Sequence, residues 1–221
     1  MTRNAERGRN SGADRRCLSR TRVIYLIRHG QTNGNRDRIV QTPDTPLSEL
    51  GHRQAEQLAQ RFQNIPVAKI ICSDYLRTQQ TAAPLRKVKQ SEFSLQPLLR
   101  ERSFGDLRGK AYDDIDADFF AQGYAPPNGE THPQFVERVN LAWKAILASY
   151  QNTQGNLIVM THGLVLRELI SQHLIINNGI SPMSDFQNTC ITEVNGADKK
   201  TILRLCDAQH LDDKSALGAI V

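Results

Sequence analysis

Two short apolar runs, far apart in the chain, each end on a histidine followed by a glycine. Val23-Ile24-Tyr25-Leu26-Ile27 leads into Arg28-His29-Gly30, and Leu157-Ile158-Val159-Met160-Thr161 leads into His162-Gly163. Such a run reads as a buried strand, since consecutive apolar residues leave neither face for water. In parallel α/β sheets ligands bind at the carboxyl ends of strands, where the loops open. Two strand-end histidines can therefore face one cavity, whatever their separation in sequence.

The remaining pattern supports a sheet wrapped by helices. Ser48 is positioned to cap a helix whose apolar face is Ala55, Leu58, Ala59 and Phe62. Val67 to Cys72 is another apolar run, with Ser73-Asp74 as the expected cap of a helix carrying Arg77. Pro126-Pro127-Asn128-Gly129 marks a turn, and Thr131 to Gln134 has capping-box spacing before a helix with Phe135, Val139, Ala142 and Ile146 inward. Val165, Leu166, Leu169 and Ile170 line a helix after His162, and Ile191–Val194 and Ile202–Leu205 suggest a hairpin around Asn195-Gly196. Repeated βα units predict a single α/β domain, a three-layer α/β/α sandwich around a mostly parallel sheet.

The 221 residues are enough for one such domain, and contents of 39% hydrophobic and 23% charged residues fit an ordinary globular protein. The net charge of +5 is local: residues 1–22 hold seven arginines against Glu6 and Asp14, and the remainder balances. Residues 1–21 are expected to be a basic disordered extension, 22–212 the domain and 213–221 a C-terminal tail. That arm is the only feature suggesting nucleic acid, which is not expected as a partner. No apolar stretch reaches the ~20 residues of a membrane span and no secretory leader is expected. Cys17, Cys72, Cys190 and Cys206 lack CxxC or zinc-like spacing and read as reduced thiols, so a cytoplasmic location is expected. Oligomeric state is not readable.

A histidine that attacks phosphorus must be neutral and in line with the leaving oxygen. Guanidinium forks must offset phosphate charge, a carboxylic acid must protonate the leaving alkoxide, and glycine lets backbone amides approach. His29 suits the nucleophile, with Arg28 before it and Gly30 after. His162 suits a second phosphoryl ligand, with Gly163 opening a helix whose N-terminus favours anions. Arg77 begins a helix after a strand, Glu101 stands before Ser103-Phe104-Gly105, and Asn35 lies in the polar loop after His29. Alone, each also fits an ordinary role: a satisfied strand-end histidine, a surface arginine or glutamate, a turn asparagine. Together they make a coherent set. Cys72 and Arg77 do not form a cysteine-phosphatase loop, which needs five intervening residues and glycine, and no GxxxxGK[ST] loop is present.

Arg28-His29-Gly30-Gln31-Thr32, Asn35, Asp44–Ser48 with Gly51 and Gln54-Ala55, Ser73–Thr81, Glu101–Gly109, Pro126–Glu130 and Thr161-His162-Gly163 occur in that order over residues 22 to 211. They resemble the histidine phosphatase superfamily, phosphoglycerate mutase-like branch. The resemblance implies that His29 is phosphorylated, that Glu101 is the proton donor, and that Arg28, Asn35, Arg77, His162 and Gly163 hold phosphate. It implies no metal and no cofactor. Gly34 stands where many members carry an aromatic residue, and the Asn35–Arg38 loop is a residue short. The compact Glu101–His162 span and the Phe186–Glu193 segment favour a small phosphatase that hydrolyses a small phosphorylated metabolite. A phosphoglycerate mutase-type transfer and a non-catalytic phospholigand-binding module are the alternatives. Residues 110–135, with Tyr112, Phe119, Phe120, Tyr124 and His132, are the expected cap over the pocket.

Overall fold

The computed structural model describes residues 22–177, 186–195 and 200–212. Both expected terminal segments, 1–21 and 213–221, and Gly196 of the expected hairpin turn lie outside the described residues.

Among the described residues, seven strands form one sheet in the order β3-β2-β4-β1-β6-β7-β5. β1 (Val23–Arg28) pairs in parallel with β4 (Leu157–Thr161), which pairs in parallel with β2 (Lys69–Cys72), and β2 with β3 (Glu92–Leu95). β6 (Ile191–Asn195) runs antiparallel to β1 and to β7 (Thr201–Asp207), and β5 (Ile175–Ile176) closes the edge. The register sets Arg28 opposite Thr161, so His29 and His162 leave the sheet side by side.

Side-chain alternation divides the core into two halves. Ile24, Leu26, Leu157 and Val159 point to one face, where α4 (His132–Gln151) and α5 (Gly163–His173) supply Phe135, Val139, Val165 and Leu169. Tyr25, Ile27, Ile158 and Met160 point to the other, covered by Leu58 and Phe62 of α2 (Glu49–Arg61) and its end, and by Ala82 and Leu85 of α3 (Leu76–Val88). Because successive strand residues face opposite ways, uninterrupted apolar strands require helices on both sides. The three expected layers are present.

Local signals account for most helix boundaries. Ser48 Oγ accepts from Gly51 N at 3.0 Å, and Thr131 and Gln134 make the reciprocal capping box at α4. The expected Ser73-Asp74 cap of α3 does not form. Tyr75 is the N-cap residue and gives no side-chain bond. Ser73 Oγ is instead 2.9 Å from His162 Nε2, and Asp74 pairs with Arg100. Several short elements carried no sequence signal, among them β3, a half-exposed edge strand without an apolar run, the two-residue β5, and α1 (Asn33–Arg36), a single turn.

Candidate active site

His29 follows β1 and is almost fully buried, its amide donating to Thr161 O at 3.0 Å. Asn188 Nδ2 donates to its carbonyl at 3.0 Å. Behind it, Gly30 N donates to Thr81 Oγ1 at 2.9 Å and Gln31 N to Gln54 Oε1 at 2.8 Å. This loop lies directly on the first turn of α2. A Cβ on Gly51 would stand 2.0 Å from Gln31 O, so the approach that holds the histidine loop tolerates no side chain there.

The imidazole's tautomer follows from its neighbours. Nδ1 is 2.7 Å from Gly30 O, a pure acceptor, so Nδ1 carries the hydrogen. Nε2 receives Arg77 Nε at 3.3 Å, a pure donor, so Nε2 keeps its lone pair. Burial, then the charges of Arg77 and Arg28, hold the His29 pKa well below its ordinary 6.5. The ring is therefore neutral at neutral pH, the state a nucleophile needs.

His162 leaves β4 beside it, with ring centroids 5.2 Å apart and no exposure. Burial, then Arg77 and His29, depress its pKa as well. Ser73 holds Nε2, while His162 Nδ1 is buried with no hydrogen-bond partner among the described residues. Arg28 Nε is in the same condition, although Arg28 Nη1 donates to Phe186 O. Arg77, also buried, spends Nη1 on Thr42 O at 3.0 Å. Burial lowers its pKa to about 10, which still leaves it charged at neutral pH. Buried polar groups without partners are costly, and two of them, His162 Nδ1 and Arg28 Nε, belong to residues that neighbour His29, whose Nε2 lone pair faces Arg77. An oxyanion would satisfy them.

Glu101 stands where the cleft meets α5. Its Oε2 accepts from Leu164 N at 3.1 Å and its Oε1 from Arg102 N at 3.0 Å. The N-terminus of α5, expected to favour the phosphate, thus gives its second amide to this carboxylate. Asn35 Oδ1 accepts from Thr32 N and Thr32 Oγ1 in the capping box of α1, leaving its Nδ2 without a partner among the described residues. Arg28, His29, Asn35, Arg77, Glu101 and Gly163 all line one cleft with about 680 Å³ of empty space, part of it open to solvent; His162, fully buried beside His29, is not among the lining residues.

The expected cap divides. Tyr112, Phe119 and Phe120 line the cleft; Phe119 and Phe120 lie 4.3 Å apart and pack on Phe104 at 5.5 and 5.6 Å and on Tyr112 at 5.0 and 5.5 Å. Tyr124 packs against this cluster from outside the cleft, and His132 opens α4 away from it. Sequence reasoning missed Ser73, Tyr75, Thr81, Asn188 and Arg108. Ser73 and Thr81 lie within a stretch already singled out, but nothing in their spacing announces a bond to His162 or Gly30. Among the described residues no group of three or more His, Cys, Asp or Glu side chains could hold a metal, and no helix is long and apolar enough to cross a membrane.

Comparison with known proteins agrees with this geometry. The histidine phosphatase superfamily (branch 1) model matches residues 24–208. A Schizosaccharomyces pombe protein named as a phosphatase is 31% identical over 204 residues, 86% of this chain and 96% of that one. An Erwinia tasmaniensis protein named as a phosphoglycerate mutase is 28% identical over 206 residues, 86% and 95% of the two chains. The structure of Bacillus stearothermophilus YhfR superposes with a TM-score of 0.72 at 27% identity, covering 86% of this chain and 99% of that one. The strand-end histidines, their arginines and the whole sheet that carries them belong to one lineage: the chain is a member of the histidine phosphatase superfamily, branch 1.

Proposed function

We infer that the chain is a metal-independent phosphatase that hydrolyses small phosphorylated metabolites through a phosphohistidine on His29. The observation that carries this reading is the fixed tautomer of His29: a buried neutral ring whose Nε2 lone pair faces the Arg77 guanidinium.

Nε2 attacks phosphorus, the P–O bond to the leaving group breaks, and Glu101 delivers a proton to the departing oxygen. Glu101 then takes a proton from water, whose oxygen attacks phosphorus. The P–N bond breaks, inorganic phosphate leaves and His29 returns to its neutral state. Arg28, Arg77, His162 Nδ1 and Asn35 Nδ2 donate to the phosphoryl oxygens throughout, where charge is greatest in the transition state. Gly163 keeps the wall beside Arg28 free of a side chain.

Relatives bear both phosphatase and mutase names, so hydrolysis has to be argued from this chain. Between Glu101 and His162 there are two short 3-10 turns, α4 and β4, which leaves no long helical insertion to shield a phosphohistidine from water. Hydrolysis is favoured. Incubation with 3-phosphoglycerate separates the two: free phosphate supports the phosphatase, and 2-phosphoglycerate would overturn it in favour of the mutase. Phosphate release from phenyl phosphate should vanish in His29→Ala and persist with chelator. The reading includes a cytoplasmic location, a single folded unit over 22–212 and no nucleic-acid partner.

A further inference from the structure

We propose that Arg108 determines specificity, drawing to this site phosphate monoesters whose leaving group joins an apolar body to a second negative charge. The inference rests on the phosphatase reading and names the substrate class.

Among the described residues, the cleft is lined by five guanidiniums and one carboxylate, Glu101. Arg28 and Arg77 stand at His29 and match a phosphoryl dianion. Arg102 is committed elsewhere: it is buried and donates to Glu130 O at 3.2 Å and Tyr124 O at 2.8 Å, holding the loop beneath the cap. Arg167, on α5, is exposed and has an interaction partner of its own; Arg108 differs from all four. It ends the 3-10 turn Gly105–Leu107 and is half-buried. Its Nη2 donates to Tyr75 Oη at 3.2 Å, and no carboxylate lies within 4 Å of it among the described residues.

A phenol is a neutral acceptor, and a guanidinium bonds an oxyanion roughly twice as strongly. An incoming anion therefore gains by displacing Tyr75 from Arg108. Tyr75 also fixes where that anion must be. Its ring meets the His162 ring edge-on at 5.3 Å and lies under Arg77 at 5.0 Å, while its hydroxyl end meets Arg108, so Tyr75 links that guanidinium to the side chains at His29. With the phosphoryl group held by Arg28 and Arg77 at His29, a charge carried on the leaving group is placed to meet it. The intervening wall is apolar: Val40, Phe104, Tyr112 and Phe120 line the same cleft, and Phe120 is 37% exposed, an unusual state for a ring packed among three others. A flat or apolar leaving-group body would cover it.

The test compares phenyl phosphate with 2-, 3- and 4-carboxyphenyl phosphate at low ionic strength, scoring phosphate release by the wild-type chain, Arg108→Gln, Arg108→Lys and Tyr75→Phe. For the wild type, kcat/KM for at least one carboxylated isomer should exceed that for phenyl phosphate by about tenfold or more, carried by KM. Arg108→Gln should collapse that ratio toward one, and Arg108→Lys should keep part of it. Tyr75→Phe should keep it whole, because the guanidinium remains. A wild type indifferent to the carboxylate overturns the proposal, as does an Arg108→Gln variant slowed equally on all four compounds. Failure to release phosphate from any of them would instead refute the phosphatase reading and this inference with it.

Discussion

Burying two neutral imidazoles makes the fold acid-sensitive in a way that one substitution can isolate. The pKa values of His29 and His162 lie well below 6.5 in the folded chain, because burial and the neighbouring arginines oppose a third positive charge. In the unfolded chain each titrates near ~6.5. Below that pH the unfolded state binds protons that the folded state refuses, so stability is complete above ~6.5 and drains away as pH falls toward the folded values. A histidine that stays neutral throughout loses up to about 2 kcal/mol between about pH 7.5 and about pH 5, and the pair up to about 4 kcal/mol. Carboxylates and His210, whose pKa burial lowers to about 4, add their own slopes. Comparing wild type with His29→Asn cancels those. Urea unfolding at the two pH values should show the variant losing about 1–2 kcal/mol less than the wild type on acidification. Equal losses would mean that His29 is protonated in the fold, and the nucleophile argument would fail.

Three further outcomes follow from the geometry. Arg77→Ala removes the guanidinium at Nε2 and should lower kcat/KM on phenyl phosphate roughly a hundredfold or more by steady-state assay; Arg77→Lys should rescue little, since an ammonium cannot reproduce the fork. Glu101→Gln should reduce kcat/KM, which reports the steps through phosphoryl transfer to His29, by roughly 10²–10⁴-fold on phenyl phosphate but much less on 4-nitrophenyl phosphate, whose leaving group needs no proton. Gly51→Ala drives a methyl against Gln31 O and should cost about 1–3 kcal/mol in urea unfolding, with a lower kcat because the displaced loop carries His29.

What was legible in the sequence was whatever local periodicity or capping controls. β1 and β4 are continuous apolar runs because helices cover both faces, and α2 and α4 announce themselves through Ser48 and Thr131. The site's axis was legible for the same reason, since two strand ends had to share one edge of the sheet. The misses share a different cause. Ser73 fits a helix cap equally well on local grounds, and only the parallel neighbour β4 draws its hydroxyl to His162. Asn188 reaches His29 from far along the chain, and Arg108 meets Tyr75 through a turn with no periodicity to mark it. β3 lacks an apolar run because its side chains are at most half-buried at the sheet edge. Tertiary bonds of this kind leave no local trace.

The covalent intermediate gives the most direct test. Rapid quench of the chain mixed with a ³²P-labelled monoester, followed by peptide mapping, should find acid-labile, base-stable label on His29 and none in His29→Ala. Steady hydrolysis with no labelled protein, or label on another residue while His29→Ala still turns over, would contradict the assignment of His29 as nucleophile.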